Sequence, residues 1–60
     1  MIVKISHSKR PMTVIETTYA ELIERYNLHE SMDKIKFDLL QDGRSSVIDE
    51  SGTLSIWEVK

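Results

Sequence analysis

The side chains in this sequence capable of chemistry are two histidines, His7 and His29, with scattered serines and carboxylates. Their spacing determines what they can do. His29-Glu30 opens the HExxH pattern of zinc proteases, but that pattern needs a second histidine one helical turn on, and position 33 is Asp33. The hydroxyls of Ser6, Ser8, Ser31, Ser45, Ser46, Ser51 and Ser55 have no Gly-x-Ser-x-Gly elbow around them, so no serine is marked as a nucleophile. Glu16, Glu21, Glu24, Glu30, Asp33, Asp38, Asp49 and Glu50 supply carboxylates, yet a general acid needs partial burial beside a cleft to raise its pKa. On a thin domain these read as a solvated surface, with Glu21 a helix cap and Asp42 and Asp49 turn formers. No glycine-rich phosphate loop is present. The expectation is a non-enzymatic chain with no metal and no cofactor.

Charge narrows the partners. Eight basic against ten acidic side chains leave a net charge of −2, which gives no global attraction to nucleic acid or anionic lipid. One local exception is Lys4, Lys9 and Arg10 around His7, a short arm beside Pro11 able to contact a few phosphates. A solvated loop is the simpler reading of that arm, and a DNA- or RNA-binding regulator is the alternative it supports. No apolar run reaches the ~18 residues of a membrane span, and Met1-Ile2-Val3-Lys4 lacks the apolar segment of a signal peptide. A cytoplasmic protein is expected.

The elements that must position these groups are few, because 60 residues make one domain, 1–60, with a thin core. Chains below about 70–80 residues commonly add disulfides, a metal or a partner subunit. There is no cysteine, and neither histidine has companions at zinc-ligand spacing, which leaves a homodimer or an unusually well-matched core. Residues 2–5 read as a strand followed by a polar loop, and residues 12–17 are β-prone. Thr18-x-x-Glu21 has capping-box spacing, and Tyr19, Leu22, Ile23 and Tyr26 follow as one helical stripe. Asn27 suits a left-handed closure, with Leu28 folding back on the last turn.

Residues 31–40 fit two patterns. Met32, Ile35, Leu39 and Leu40 suit a helix capped by Ser31, whereas Ile35, Phe37 and Leu39 alternate with Lys36 and Asp38 as in a strand. Asp42-Gly43, a strong hairpin signal, favours the strand, and Asp49-Glu50-Ser51-Gly52 supplies a second turn. The expected fold is α+β, a small antiparallel β-α-β-β-β sheet packed against one short helix. A two-residue first loop and a three-residue second loop gather Ile35, Phe37, Leu39, Ile48, Leu54 and Ile56 on the helix side. The same register sends Leu40, Val47, Trp57 and Val59 to the opposite side, where little remains to cover them. An exposed apolar patch containing tryptophan marks a protein-binding surface. A one-residue slip in either turn exchanges the faces.

Thr17-Thr18-Tyr19-Ala20-Glu21-Leu22-Ile23, followed by Asp49-Glu50-Ser51-Gly52-Thr53-Leu54-Ser55-Ile56-Trp57-Glu58-Val59-Lys60, resembles small uncharacterised phage-encoded proteins with a TTYAEL helix and a C-terminal DGT-type strand. The resemblance implies a phage accessory protein that binds and inhibits or redirects a host protein, acting in the host cytoplasm. It assigns no functional residue. Together with the patch, it sets the expectation of a small protein-binding regulator or inhibitor.

Overall fold

The computed structural model describes residues 1–59, and the last residue of the C-terminal stretch, Lys60, lies outside them. The chain runs β1 (Ile2–His7), β2 (Arg10–Thr18), α1 (Tyr19–Tyr26), a 3-10 turn (His29–Ser31), α2 (Met32–Asp42), β3 (Arg44–Asp49) and β4 (Gly52–Glu58). The strands form one four-stranded antiparallel sheet in the order β2-β1-β4-β3. The first and last strands are therefore its centre, and the helical segment carries the chain from one edge strand to the other.

The first helix forms as its sequence requires. The Thr18 hydroxyl accepts from the Glu21 amide at 3.2 Å. The Glu21 carboxylate does not close the capping box on Thr18, and instead accepts from the Thr17 hydroxyl at 2.9 Å. Asn27 adopts the left-handed conformation at φ 53°, and the Leu28 amide donates to the Ile23 carbonyl at 2.9 Å, completing a Schellman closure. The Tyr19 hydroxyl donates to the Met32 carbonyl at 2.6 Å and ties this helix to the next. Burial there pushes the Tyr19 phenol up, and the nearby Asp33 charge adds to the effect.

Residues 31–40 correct the expected strand, since most of them lie in the second helix. Ile35 and Leu39, one turn apart, are both buried, while Lys34 pairs with Asp38 at 3.1 Å across the same spacing. Gly43, at φ 76°, closes the helix with its amide on the Leu39 carbonyl at 3.0 Å. The Asp42-Gly43 signal thus marks a helix terminus leading straight into a strand, and no hairpin forms there. A left-handed glycine after a polar residue serves both purposes, and the buried Ile35–Leu39 pair decides between them. One consequence is that Phe37 lies on the exposed side of α2, 62% accessible.

The second turn is a hairpin, but a two-residue one. Asp49 pairs with Gly52, and this sets Val47 opposite Leu54 and Ser45 opposite Ile56. The expected three-residue loop is one residue too long, so β3 has its faces exchanged. Val47 packs against the core and Ile48 points away, 81% accessible. The observed core is Val3, Ile5, Leu54 and Ile56 from the central strands under Leu22 and Ile23 of α1 and Ile35 and Leu39 of α2, flanked by Tyr19, Tyr26, Leu28 and Val47. Leu22 and Ile23 of α1 and Ile35 and Leu39 of α2 are buried against the same side of the sheet.

The helical assignment carries a direct expectation. Leu39→Ala should lower the unfolding free energy by about 2–5 kcal/mol, as for a buried leucine. Phe37→Ala should change it by about 0.5 kcal/mol or less, as for an exposed site. Urea denaturation of the two variants tests this, and comparably large losses in both would return this segment to a strand with Phe37 and Leu39 on one buried face.

Candidate functional site

With both helices on one side, the other face of the sheet is open, and strand alternation dictates what it presents. The register pairs Lys4 with Glu16 on one side and with Trp57 on the other, and pairs Trp57 with Arg44. A row therefore crosses the sheet in the order Glu16, Lys4, Trp57, Arg44. Directly opposed residues of an antiparallel pair lie about 4.5–5.5 Å apart at Cβ, so the half-buried Trp57 has a lysine and an arginine as its cross-strand neighbours. The next row is Ser6, Ser55 and Ser46, a strip of hydroxyls. Ile2 pairs with Thr18 at the end of the same face, and the Val59 amide donates to the Ile2 carbonyl at 2.9 Å. A shallow depression at the β3 edge draws its lining from both sides of the sheet, Arg44, Ser46 and Trp57 together with Asp38, Asp42 and Glu58.

The expected patch is only partly assembled. Trp57 and Val59 share the open face, but Val47 sits on the helix-covered side and Leu40 stands on the exposed side of α2, 66% accessible. The two corrections have the same causes as those in the fold: a helix in place of a strand, and a hairpin loop one residue shorter. The basic arm is also divided. Lys4 belongs to the tryptophan row, whereas Lys9 lies in the β1–β2 turn and Arg10 begins β2. Arg44, Ile2 and the serine row were missed by sequence reasoning. The signal that finds Arg44 is the left-handed glycine just before it, read as a helix terminus so that a strand starts at position 44.

A second cluster gathers where the two hairpin tips meet. The Ser8 amide donates to the Thr53 carbonyl at 2.9 Å, and the Thr53 amide donates to the Ser8 hydroxyl at 3.0 Å. A Cβ at Gly52, whose φ is 140°, would collide with that hydroxyl, so the close approach requires glycine. His7, Asp49 and Ser51 come together beside it, a set of residue types that invites comparison with a catalytic triad. The hydrogen bonds run in the opposite sense. The His7 Nδ1 accepts from the Lys9 amide at 3.1 Å, leaving the proton on Nε2, which faces the Ser51 oxygen at 3.1 Å. The Ser51 hydroxyl itself donates to Asp49 at 2.7 Å. A nucleophilic serine must give its proton to the imidazole, so this arrangement holds a turn together.

Asp49 is the centre of that turn, accepting also from the Ser51 and Gly52 amides at 2.8 and 2.9 Å. The Ser51 hydroxyl, followed by the Ser51 and Gly52 amides, holds its carboxyl below the usual range. Asp38 is held low in the same way, first by the Ser45 hydroxyl at 2.8 Å and then by Lys34. Among the described residues, no group of three or more His, Cys, Asp or Glu side chains is arranged to hold a metal ion. No helix of the described residues is long and apolar enough to cross a membrane. No family model matches the chain, and neither the curated proteins nor the solved structures contain a significant match to it.

The lowered carboxyls set the direction of the acid response. A carboxyl whose pKa is lower in the folded than in the unfolded chain stabilises the fold fully above its unfolded value, about 3.9 for Asp, and loses that contribution as pH falls through the folded value. Asp49→Ala should therefore melt below the parent protein at neutral pH. The gap should shrink steadily as the pH is lowered from about 5 to about 2. A gap independent of pH, followed by thermal melting monitored by circular dichroism, would remove the carboxylate from this role.

Proposed function

We propose that this chain is a small non-enzymatic binding protein, a regulator or inhibitor that acts by placing its open sheet face on a partner protein. The observation that carries the reading is the position of Trp57, half-buried between Lys4 and Arg44 on the uncovered side of the two central strands. Tryptophan and arginine are the residues most enriched at binding hot spots, and an anchor works best at the centre of a contact surrounded by groups that exclude water. Ile2, Val59 and the serine strip form such a surround. The action is steric, by occupancy and without turnover. The two cations select a partner whose contact surface carries carboxylates around an apolar pocket. The resemblance of the first helix and the last strand to small phage-encoded proteins supports a host protein as the partner and the host cytoplasm as the place.

One observation favours a second reading. An aromatic side chain between two cations, beside a strip of hydroxyls on an open antiparallel sheet, is also what single-stranded nucleic acid needs: a base stacks on the indole while Lys4 and Arg44 meet phosphates. The net charge of −2 and the single aromatic on this face weigh against it.

The two readings separate in one set of measurements. Tagged protein is used to retrieve partners from a nuclease-treated host lysate, alongside Trp57→Ala and Lys4→Glu variants whose circular dichroism is unchanged. A stoichiometric protein held by the parent chain and lost from both variants is the expected result, and its retention by both would sink the use of this face. For the nucleic-acid reading, an oligothymidylate is titrated at low salt. Two phosphate contacts predict a log–log salt slope of about −1.4, and no binding at low salt removes that reading.

A further inference from the structure

The open face of the sheet is complementary to itself when turned over. In the strand order β2-β1-β4-β3, the row Glu16, Lys4, Trp57, Arg44 takes one residue from each strand, and its midpoint falls between the two central strands. Glu16 and Arg44 are its ends, one acidic and one basic, and Lys4 and Trp57 are its centre. Among the described residues, none of Glu16, Lys4 and Arg44 belongs to a salt bridge within the chain. The rows on either side are balanced about the same midline. Ile2 and Val59, joined by the Val59 amide on the Ile2 carbonyl, hold the central positions of one, and Ser6 and Ser55 hold those of the other.

We propose, resting on the reading of this face as the binding surface, that in the absence of another partner it is held by the same face of a second copy of this chain. The two sheets pack face to face about a two-fold axis parallel to the strands, between β1 and β4. Rotation about that axis exchanges β2 with β3 and β1 with β4 and leaves each row at its own level. Glu16 of each copy then lies over Arg44 of the other, and Lys4 of each over Trp57 of the other. An ion pair and a cation–π pairing are each made twice, as an isologous contact requires. Ile2 lies over Val59, and Ser6 over Ser55. A two-fold axis running across the strands, along the row, would set Glu16 over Glu16, Lys4 over Lys4 and Arg44 over Arg44. Charge therefore selects the first axis, which also keeps the strands of the two sheets aligned, as in a β-sandwich.

Size fixes what the pairing does. The Cα frame measures 26 × 24 × 19 Å, so one face offers no more than the ~800 Å² per partner of a standard interface. The contact is reversible and governed by concentration. Dilute chains are apart with the face open, and concentrated chains cover each other's Trp57 with both helix pairs on the outside. The second copy thus regulates the face, because a partner protein must compete with it.

Sedimentation equilibrium of the purified chain from micromolar to millimolar concentration reads this out. The variants are Glu16→Arg and Arg44→Glu on the open face and Phe37→Lys on the exposed side of α2, each with unchanged circular dichroism. The parent chain and Phe37→Lys should approach the mass of two chains at the upper end. Each charge reversal sets like charges over one another twice and should raise the dimer dissociation constant by about tenfold or more. Mixing the two charge variants should restore association, because one chain then carries two basic row ends and the other two acidic ones. Mixing does not repair a disturbed fold, so this arm separates the contact from a structural effect. A parent chain that stays monomeric, a mixture that associates no better than its components, or a dimer lost in Phe37→Lys and kept in both charge variants would overturn the proposal. A monomeric parent that still retrieves a protein from the lysate would leave the reading of the face itself standing.

Discussion

The chain has enough apolar side chains to bury one face of one sheet, and the rest of the structure depends on that limit. Val3, Ile5, Leu54 and Ile56 become inaccessible only because Leu22, Ile23, Ile35 and Leu39 cover them. These eight residues come from both central strands and both helices, so no smaller unit of the chain has a core of its own. The topology follows from the same constraint. With β1 and β4 paired at the centre, the helical segment must pass over one face to connect the two edge strands, and in doing so it covers that face and leaves the other open. What remains in water is set by strand alternation: a tryptophan with two cations, the Glu16 carboxylate, a strip of hydroxyls and Ile48 on the open face.

Where one residue has one physical use, the sequence is legible. The first helix could be read with both ends because Thr18, Glu21, Asn27 and Leu28 each supply a specific backbone partner or a left-handed turn. Trp57 and Val59 could be placed on the uncovered side because their alternation with Leu54 and Ile56 holds under any pairing with a neighbour. Where one residue has two uses, it is not. Gly43 suits a hairpin and a helix terminus equally, and Ile35 with Leu39 satisfies a two-residue and a four-residue period at once. The choice rests on tertiary burial: on the helix Ile35 and Leu39 reach the core together, and Phe37 is the residue left outside.

The hairpin at Asp49 shows how small a local difference decides a face. A loop of two residues instead of three turns Val47 toward the core and Ile48 away from it, and so divides a patch that sequence periodicity had assembled. Its geometry is set by the Asp49 carboxylate, which organises the amides of Ser51 and Gly52, and by the Ser8 hydroxyl, which leaves no room for a side chain at Gly52. The Arg44 position is settled by the same pairing. Arg44 stands opposite Trp57 only because β3 begins immediately after the helix-terminating glycine.

The second face of the sheet is open and places the chain's single tryptophan between Lys4 and Arg44. Trp57 fluorescence tests it directly, through the quenching of the folded protein by iodide and by caesium at equal ionic strength. An open face flanked by Lys4 and Arg44 concentrates the anion, so iodide should quench with a clearly steeper slope than caesium. Emission that neither ion reaches in the folded chain would mean that the face is covered, and a steeper slope for caesium would mean that Lys4 and Arg44 do not flank the indole.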